Sequence, residues 1–306
     1  MTRSDCFLQH GIVDPIAKAL GAFGLCCLLL FGARSFLHAG ASGPMKPYLH
    51  ESTRLEVEFR PSATEYFFSF PGDVQNLLNR DERNLLESFK RTVCKDQESI
   101  RAFANDLRDG CYWGPAGGGR PATREEIRIN YYLPSERMAS LSIVGGFVTT
   151  EEGHTFMYNA GFPHFHLLTP ELRPFELRAA CAQNLRELNG CFPSVDGVRT
   201  YPNPSEWGDA LLRRSRLFDL DRSHAKGPFE CPSARTSHYA INPQCTPDSR
   251  GNTVLLFETT AGWNQHGGPE LFTFDNHHPK GGCVLLNDGT VRFIRTEEEL
   301  KQLRWK

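Results

Sequence analysis

Two rhythms of apolar residues run along the chain, and they predict most of its elements. Alternation at every second position marks LEVEF (residues 55–59) and EYFFSF (65–70) as strands. A helix is expected next. Asn79, with Glu82 three residues on, is an N-cap with its capping-box partner, and Leu85, Leu86, Phe89 and Val93 supply an apolar stripe. A second helix is expected from about Gln97 to Arg108, with Gly110 just past its end. IRINYY, ASLSIVGGFVTT and HTFMYN then read as three strands, turning at Pro134-Ser135 and at Glu152-Gly153. Residues 51–165 therefore make one small α+β domain of no recognised type.

A second domain, 169–306, opens on a long helix. Thr169 as N-cap, Pro170 at the first helical position and Asn189-Gly190 at the end bracket it, and Leu177, Cys181, Leu185 and Leu188 share one face. From Phe192 to His238 the pattern breaks into short segments rich in Pro, Gly, Asn and Asp. TVLLFET (253–259) is a strand, and CVLLN and TVRFI flank Asp288-Gly289, the two-residue signature of a type I′ hairpin turn. With Asn287 opposite Thr290, Leu286 faces Val291, Val284 faces Phe293 and Arg292 opposes Leu285, which gives one buried face. Thr296 and Glu299 form a capping box for a short final helix, TEEELKQLRW.

Ahead of both domains, ALGAFGLCCLLLFGA (19–33) runs fifteen residues without a charge between Lys18 and Arg34. It is short for a bilayer span of about 20 residues, although flanking Lys and Arg can snorkel to the headgroups. It also suits the apolar core of a signal peptide, with Ala39-Gly40-Ala41 as a cleavage site. The expectation is a hydrophobic helical anchor or signal over residues 1–41 and a Gly/Ser/Pro-rich linker over 42–50. The bulk of the chain is then exported. It is either held by a single-pass anchor with its C-terminal bulk outside the cytoplasmic membrane, or secreted or periplasmic after cleavage near Ala41.

Composition narrows the function. With 306 residues, 40% hydrophobic and 23% charged, the chain has the make-up of a folded protein with room for two domains. A net charge of −2 and the lack of a basic stripe speak against nucleic acid as a partner. The 22 Phe and 27 Gly point to strands joined by many turns. The triple glycine Gly117 to Gly119 lacks the Lys-Ser/Thr and following helix of a Walker loop, so it reads as a surface loop. No G-x-S-x-G elbow appears, and Asp219 with Asp221 is a pair that any chain with 36 acidic residues offers. No catalytic constellation and no cofactor are expected.

Three of the ten cysteines, Cys6, Cys26 and Cys27, lie in the leader. In an oxidising compartment some of Cys94, Cys111, Cys181, Cys191, Cys231, Cys245 and Cys283 should pair, though an odd number cannot all do so. Cys181 to Cys231 and Cys231 to Cys245 are the leading disulfide candidates. No CxxC or Cys/His spacing of a zinc site is present.

Several pieces recur in one order: RAACAQNLRELN (178–189), FECPSA (229–234), SHYAINPQC (237–245), NTVLLFET (252–259), then His278, nine residues, and Asp288-Gly289. In that order and spacing the chain resembles prepilin-type, type II secretion pseudopilin-like bacterial proteins with a C-terminal His-x9-Asp-Gly processing-associated domain. The resemblance spans residues 178–294. It implies an exported protein whose second domain packs a helix on a small antiparallel sheet. It further implies a structural or interaction role at the cell envelope, with the membrane and envelope proteins as partners. It assigns no catalytic role to His278, Asp288 or Gly289. The prepilin leader Gly-Phe-Thr-Leu-Ile-Glu is missing, and the first domain intervenes before the helix at Arg178, so the form implied is a membrane-tethered relative that is not a pilin.

The stretch FDNHHPKGGCVLLNDGTVRFI (274–294) is dense in polar groups. Glu258, His266, Asp275, His277 and His278 are candidate ligands for zinc or a harder divalent ion. Yet no HExxH or His-x3-His spacing sets two of them on one helical face, and adjacent histidines on an extended chain point in opposite directions. The reading is therefore architectural. His278 anchors the approach to the hairpin by hydrogen bonding, Asp288 favours the turn, and Gly289 supplies its positive φ. Two other functions stay open: an exported small-ligand-binding module with Trp207, Trp263 and Tyr239 as an aromatic platform, and a metal-dependent hydrolase built on His266, Asp275, His277 and His278.

Overall fold

A computed structural model describes residues 49–60, 62–68, 70, 72–112, 127–135, 138–144, 147–150, 155–158, 164–195, 198–217, 227–234, 239–260 and 262–306. The hydrophobic segment at 19–33, the cleavage site at Ala41, the Gly117 to Gly119 loop and the Asp219/Asp221 pair lie outside these residues. Among the described residues no helix is long and apolar enough to cross a membrane.

The first domain opens as its pattern predicts, with β1 (Arg54–Phe59) burying Leu55, Val57 and Phe59 on one face. EYFFSF does not follow as a strand. Ser62 accepts a hydrogen bond from the Glu65 N–H at 3.0 Å and caps a helix, α1 (Ala63–Phe67). Tyr66, Phe67 and Phe68 are consecutive and all buried. A strand with one solvated face would turn one of them to water, whereas a helical turn ending inside the core buries all three. The rings of Tyr66 and Phe67 gather with those of Phe59 and Phe165.

Next come α2 (Asp73–Leu77) and α3 (Arg80–Ser88), the latter opened by the expected Asn79/Glu82 capping box. Only part of the expected stripe is core: Leu86 is buried, but Leu85 is 48% exposed. Val93 leaves the helix for β2 (Arg91–Cys94). Then follow α4 (Gln97–Gly110), β3 (Cys111–Tyr112), β4 (Ile127–Tyr132), β5 (Met138–Val144), β6 (Phe147–Thr150) and β7 (Thr155–Tyr158). The stretch ASLSIVGGFVTT, expected as one strand, is thus two antiparallel ones, with Val144 opposite Phe147. The seven strands form one antiparallel sheet in the order β2-β1-β4-β5-β6-β7-β3.

In the second domain Thr169 makes no side-chain cap, and Pro170–Leu172 forms a single 3-10 turn before α5 (Arg173–Gly190). A short ribbon pairs β8 (Ser194–Val195) with β9 (Val198–Arg199), and α6 (Trp207–Leu217) follows. The second sheet, in the order β10-β11-β12-β13, is built from Tyr239–Ile241, Val254–Glu258, Gly282–Leu286 and Val291–Ile294, all antiparallel. Helix α5 crosses one face at β12 and β13. The other face packs Val254, Phe257, Val284 and Leu286 against Leu300 and Leu303 of the C-terminal segment, which includes α7 (Glu297–Lys301). Both faces being covered, every residue of β11 and β12 is buried. One core runs without interruption from Leu55 of the first sheet through α5 to Phe293 of the second. The chain is therefore α+β with two antiparallel sheets.

The Asp288 turn differs from the expected one by one residue. Leu286 N–H donates to the Thr290 carbonyl at 2.8 Å and Gly289 N–H to the Leu286 carbonyl at 2.9 Å, leaving a three-residue loop. A type I′ turn needs positive φ at both central residues, and here Gly289 alone of the loop has it, at 89°. The register becomes Leu285 opposite Val291, Val284 opposite Arg292 and Cys283 opposite Phe293. Cys283 and Phe293 thereby share the core that α5 covers.

Candidate functional site

The helix α5 carries Arg178, Cys181, Leu185 and Leu188 on the face it turns to the sheet, and all four are buried. Opposite them, β11 ends in Glu258. Leu256 and Glu258 lie two residues apart on one side of the strand, and Tyr239 of β10 pairs with Glu258. A 3-10 turn at Gly227–Phe229 delivers Cys231, and the loop before β12 delivers His277. That loop is held by Asn276, whose Nδ2 donates to the Thr259 carbonyl, and by the Gly281 N–H, which donates to the Phe274 carbonyl.

These four segments bring together the ligating atoms of Cys181, Cys231, Glu258 and His277, all within 4.8 Å of one another. The two Sγ atoms are 3.2 Å apart, and His277 Nε2 is 3.0 Å from Glu258 Oε1. The other ring nitrogen, Nδ1, is 3.0 Å from Ser233 Oγ. Tyr239 donates its hydroxyl hydrogen to Cys181 Sγ at 3.3 Å. The Phe293 ring meets the His277 ring edge to face at 5.3 Å, and Arg178 lies over the Phe293 ring. Glu258 is fully buried, and its second oxygen, Oε2, has no hydrogen-bond partner.

Electrostatics follow from burial and adjacency. The hydrogen bond from Cys181 holds the Cys231 thiol down at about 6 against the opposing effect of burial. Burial, the bond to Cys231 and the charge of Glu258 push Cys181 well above the usual thiol range. Burial also acts to lower His277, but the charge of Glu258 and bonds to Cys231, Cys283 and Glu258 outweigh it and push the imidazole up to about 12. Cys283 is raised to about 11, chiefly by burial.

Of the five ligand candidates read from the sequence, Glu258 and His277 meet. The other three do not join them. His266 is exposed, with Nδ1 3.1 Å from the Asn264 carbonyl, and Asp275 is exposed in an ion pair with Lys280 at 2.8 Å. His278 is exposed and makes no hydrogen bond among the described residues, so the expected anchoring of the hairpin passes to its buried neighbour His277. Cys181 and Cys231 are adjacent as free thiols, while Cys245 is elsewhere, its thiol facing Ser249 and Arg199. Nor do the three aromatic residues make a platform. Trp207 is buried and donates to the Gln265 carbonyl, Trp263 is 38% exposed, and Tyr239 is sealed against Cys181. Ser233 and Cys283 carried no signal in the sequence as parts of a site, because no local spacing links them to the rest.

One groove reaches the cluster. Its volume is about 540 Å³, and Arg173, Leu177, Ser233, His277 and His278 are among its walls. No protein-family model matches the chain, and no curated protein or solved structure does either.

Proposed function

We propose that the chain is an exported, membrane-anchored protein with a structural or interaction role at the cell envelope, its second domain serving as a pseudopilin-like scaffold. The observation that carries this reading is how the polar stretch is used. Asp288 accepts the Thr290 N–H at 2.9 Å, Gly289 makes the turn, and Asn287 donates to the Ser249 carbonyl and accepts from Tyr201. The motif residues Asp288 and Gly289 are thus spent on the hairpin on which α5 packs. That helix-on-sheet arrangement is the one the resemblance implies. The apolar run at 19–33 supports the anchor. A reporter active only in the cytoplasm, fused after residue 50, should stay silent, and the full chain should remain with membranes after alkaline carbonate washing. A strong cytoplasmic signal would refute export.

One observation favours an enzyme instead. Ser233 Oγ, the His277 ring and the Glu258 carboxylate lie in line, each junction at 3.0 Å, beneath the groove. Hydroxyl, imidazole and carboxylate in that order are the residue types of a hydrolase triad. An alkyl fluorophosphonate probe decides between the readings. A scaffold leaves Ser233 unlabelled, and a hydrolase is labelled there and loses the label in His277→Ala.

A further inference from the structure

We propose that Cys181, Cys231, Glu258 and His277 hold one divalent transition-metal ion of the zinc class, as a closed structural centre between α5 and the second sheet. Two thiolates, an imidazole and a carboxylate are the donors that zinc takes in fourfold sites. Their ligating atoms already lie within 4.8 Å of one another, although they come from four separate segments of the chain. The two sulfurs are 3.2 Å apart. Two thiolates on a tetrahedral zinc ion, with Zn–S of about 2.3 Å, stand roughly 3.7 Å apart. A shift of a few tenths of an ångström at each sulfur makes that spacing.

Two further features point to a cation. Ser233 Oγ lies 3.0 Å from His277 Nδ1 and can accept its N–H in the tautomer that turns the Nε2 lone pair to the cluster. A ligating histidine in metal sites is regularly oriented in this way by an acceptor on its other nitrogen. Second, Glu258 Oε2 is buried without a hydrogen-bond partner. A carboxylate oxygen in that state is costly unless a cation meets it. An ion bound by the sulfurs, Nε2 and the carboxylate satisfies both groups.

Closure assigns the centre its role. All four residues are buried, so no coordination position faces solvent for a substrate, and a closed set of protein ligands is the mark of a structural site. The ion would tie α5 and β11 to the loop segments that carry Cys231 and His277. The groove at Ser233 and His277 gives it a way in. The centre is independent of the envelope role, because it lies wholly in the interior of the second domain.

The rival arrangement is a Cys181–Cys231 disulfide beside a charged His277–Glu258 pair, and one experiment separates the two. The full chain is purified in detergent from zinc-supplemented cells, under argon and without reductant or chelator. Its zinc is measured by plasma mass spectrometry, and its reactive thiols are counted before and after chelation. The proposal expects about one zinc per chain and two additional reactive thiols once zinc is stripped. Exchange with Co²⁺ should give sulfur-to-cobalt charge-transfer absorption, lost in Cys231→Ser. Ser233→Ala, a small change at the groove wall, should weaken zinc binding about 10- to 100-fold. Protein with less than a tenth of an equivalent of metal overturns the proposal, whether it shows a Cys181–Cys231 disulfide peptide or thiols equally reactive with and without chelator.

Discussion

Glu82 and Arg178 join the two halves of the chain: a carboxylate oxygen in the first turn of α3 lies 2.9 Å from a guanidinium nitrogen of α5 whose side chain is only 1% exposed. The same carboxylate pairs with Arg295 just beyond β13, and both arginines donate to the Leu77 carbonyl at 2.9 Å. It also accepts from the Asn79 N–H as half of the capping box. One side chain thus caps a helix of the first domain and pairs with two arginines of the second. Asp73 of α2 adds a further cross-link to Arg186 of α5.

Removing that carboxylate should be severe. Glu82→Gln leaves Arg178 buried without an anion, which should cost about 3 kcal/mol. The pH dependence follows from the sign of the shift. Burial acts to raise Glu82, but Arg178, Asn79 and Arg295 together hold it below its usual value. The stability it supplies is therefore fully present above the ordinary carboxyl range and is lost as pH falls through the lowered folded value. Urea unfolding at pH 7 and pH 3.5 should show a steeper acid loss in the wild type than in Glu82→Gln. Equal slopes would mean that the pair does not couple to folding.

The turn offers a graded comparison. Asp288→Ala removes the bond to Thr290 N–H and should cost roughly 0.5–2 kcal/mol. Gly289→Val should cost more, because a β-branched residue is strained at a φ of 89° and its added Cβ would stand 3.3 Å from Asn189 Nδ2. Denaturant midpoints at equal slope would rank the two variants, and the reverse order would remove Gly289 from its role in the turn.

His277 and His278 should behave oppositely despite their adjacency. His277→Ala strands the buried Glu258 carboxylate and should cost about 3–5 kcal/mol. His278→Ala alters an exposed side chain with no hydrogen bond among the described residues and should stay within about 0.5 kcal/mol. Thermal melts of the two variants side by side check this. A large loss in His278→Ala with little in His277→Ala would return the anchoring role to His278.

Local patterns of the chain determined a good deal by themselves. The capping box from Asn79 to Glu82 is complete in four residues, so it is readable from those residues and is present as read. The strands LEVEF and IRINYY and the helix through Cys181 follow from periodicity, because each buries its apolar residues on a side set by its own geometry. What depends on partners was not legible. EYFFSF becomes a helix because the core around Phe59 and Phe165 accepts aromatic rings from several directions. The hairpin register slips by one because only Gly289 of the loop takes positive φ. The buried cluster lies furthest from any local signal. Cys181 and Cys231 are 50 residues apart and Glu258 and His277 are 19 apart, so no short spacing announces them. Their convergence exists only once α5 lies across the sheet, where burial turns four separated polar side chains into one pocket that must find its charge balance within.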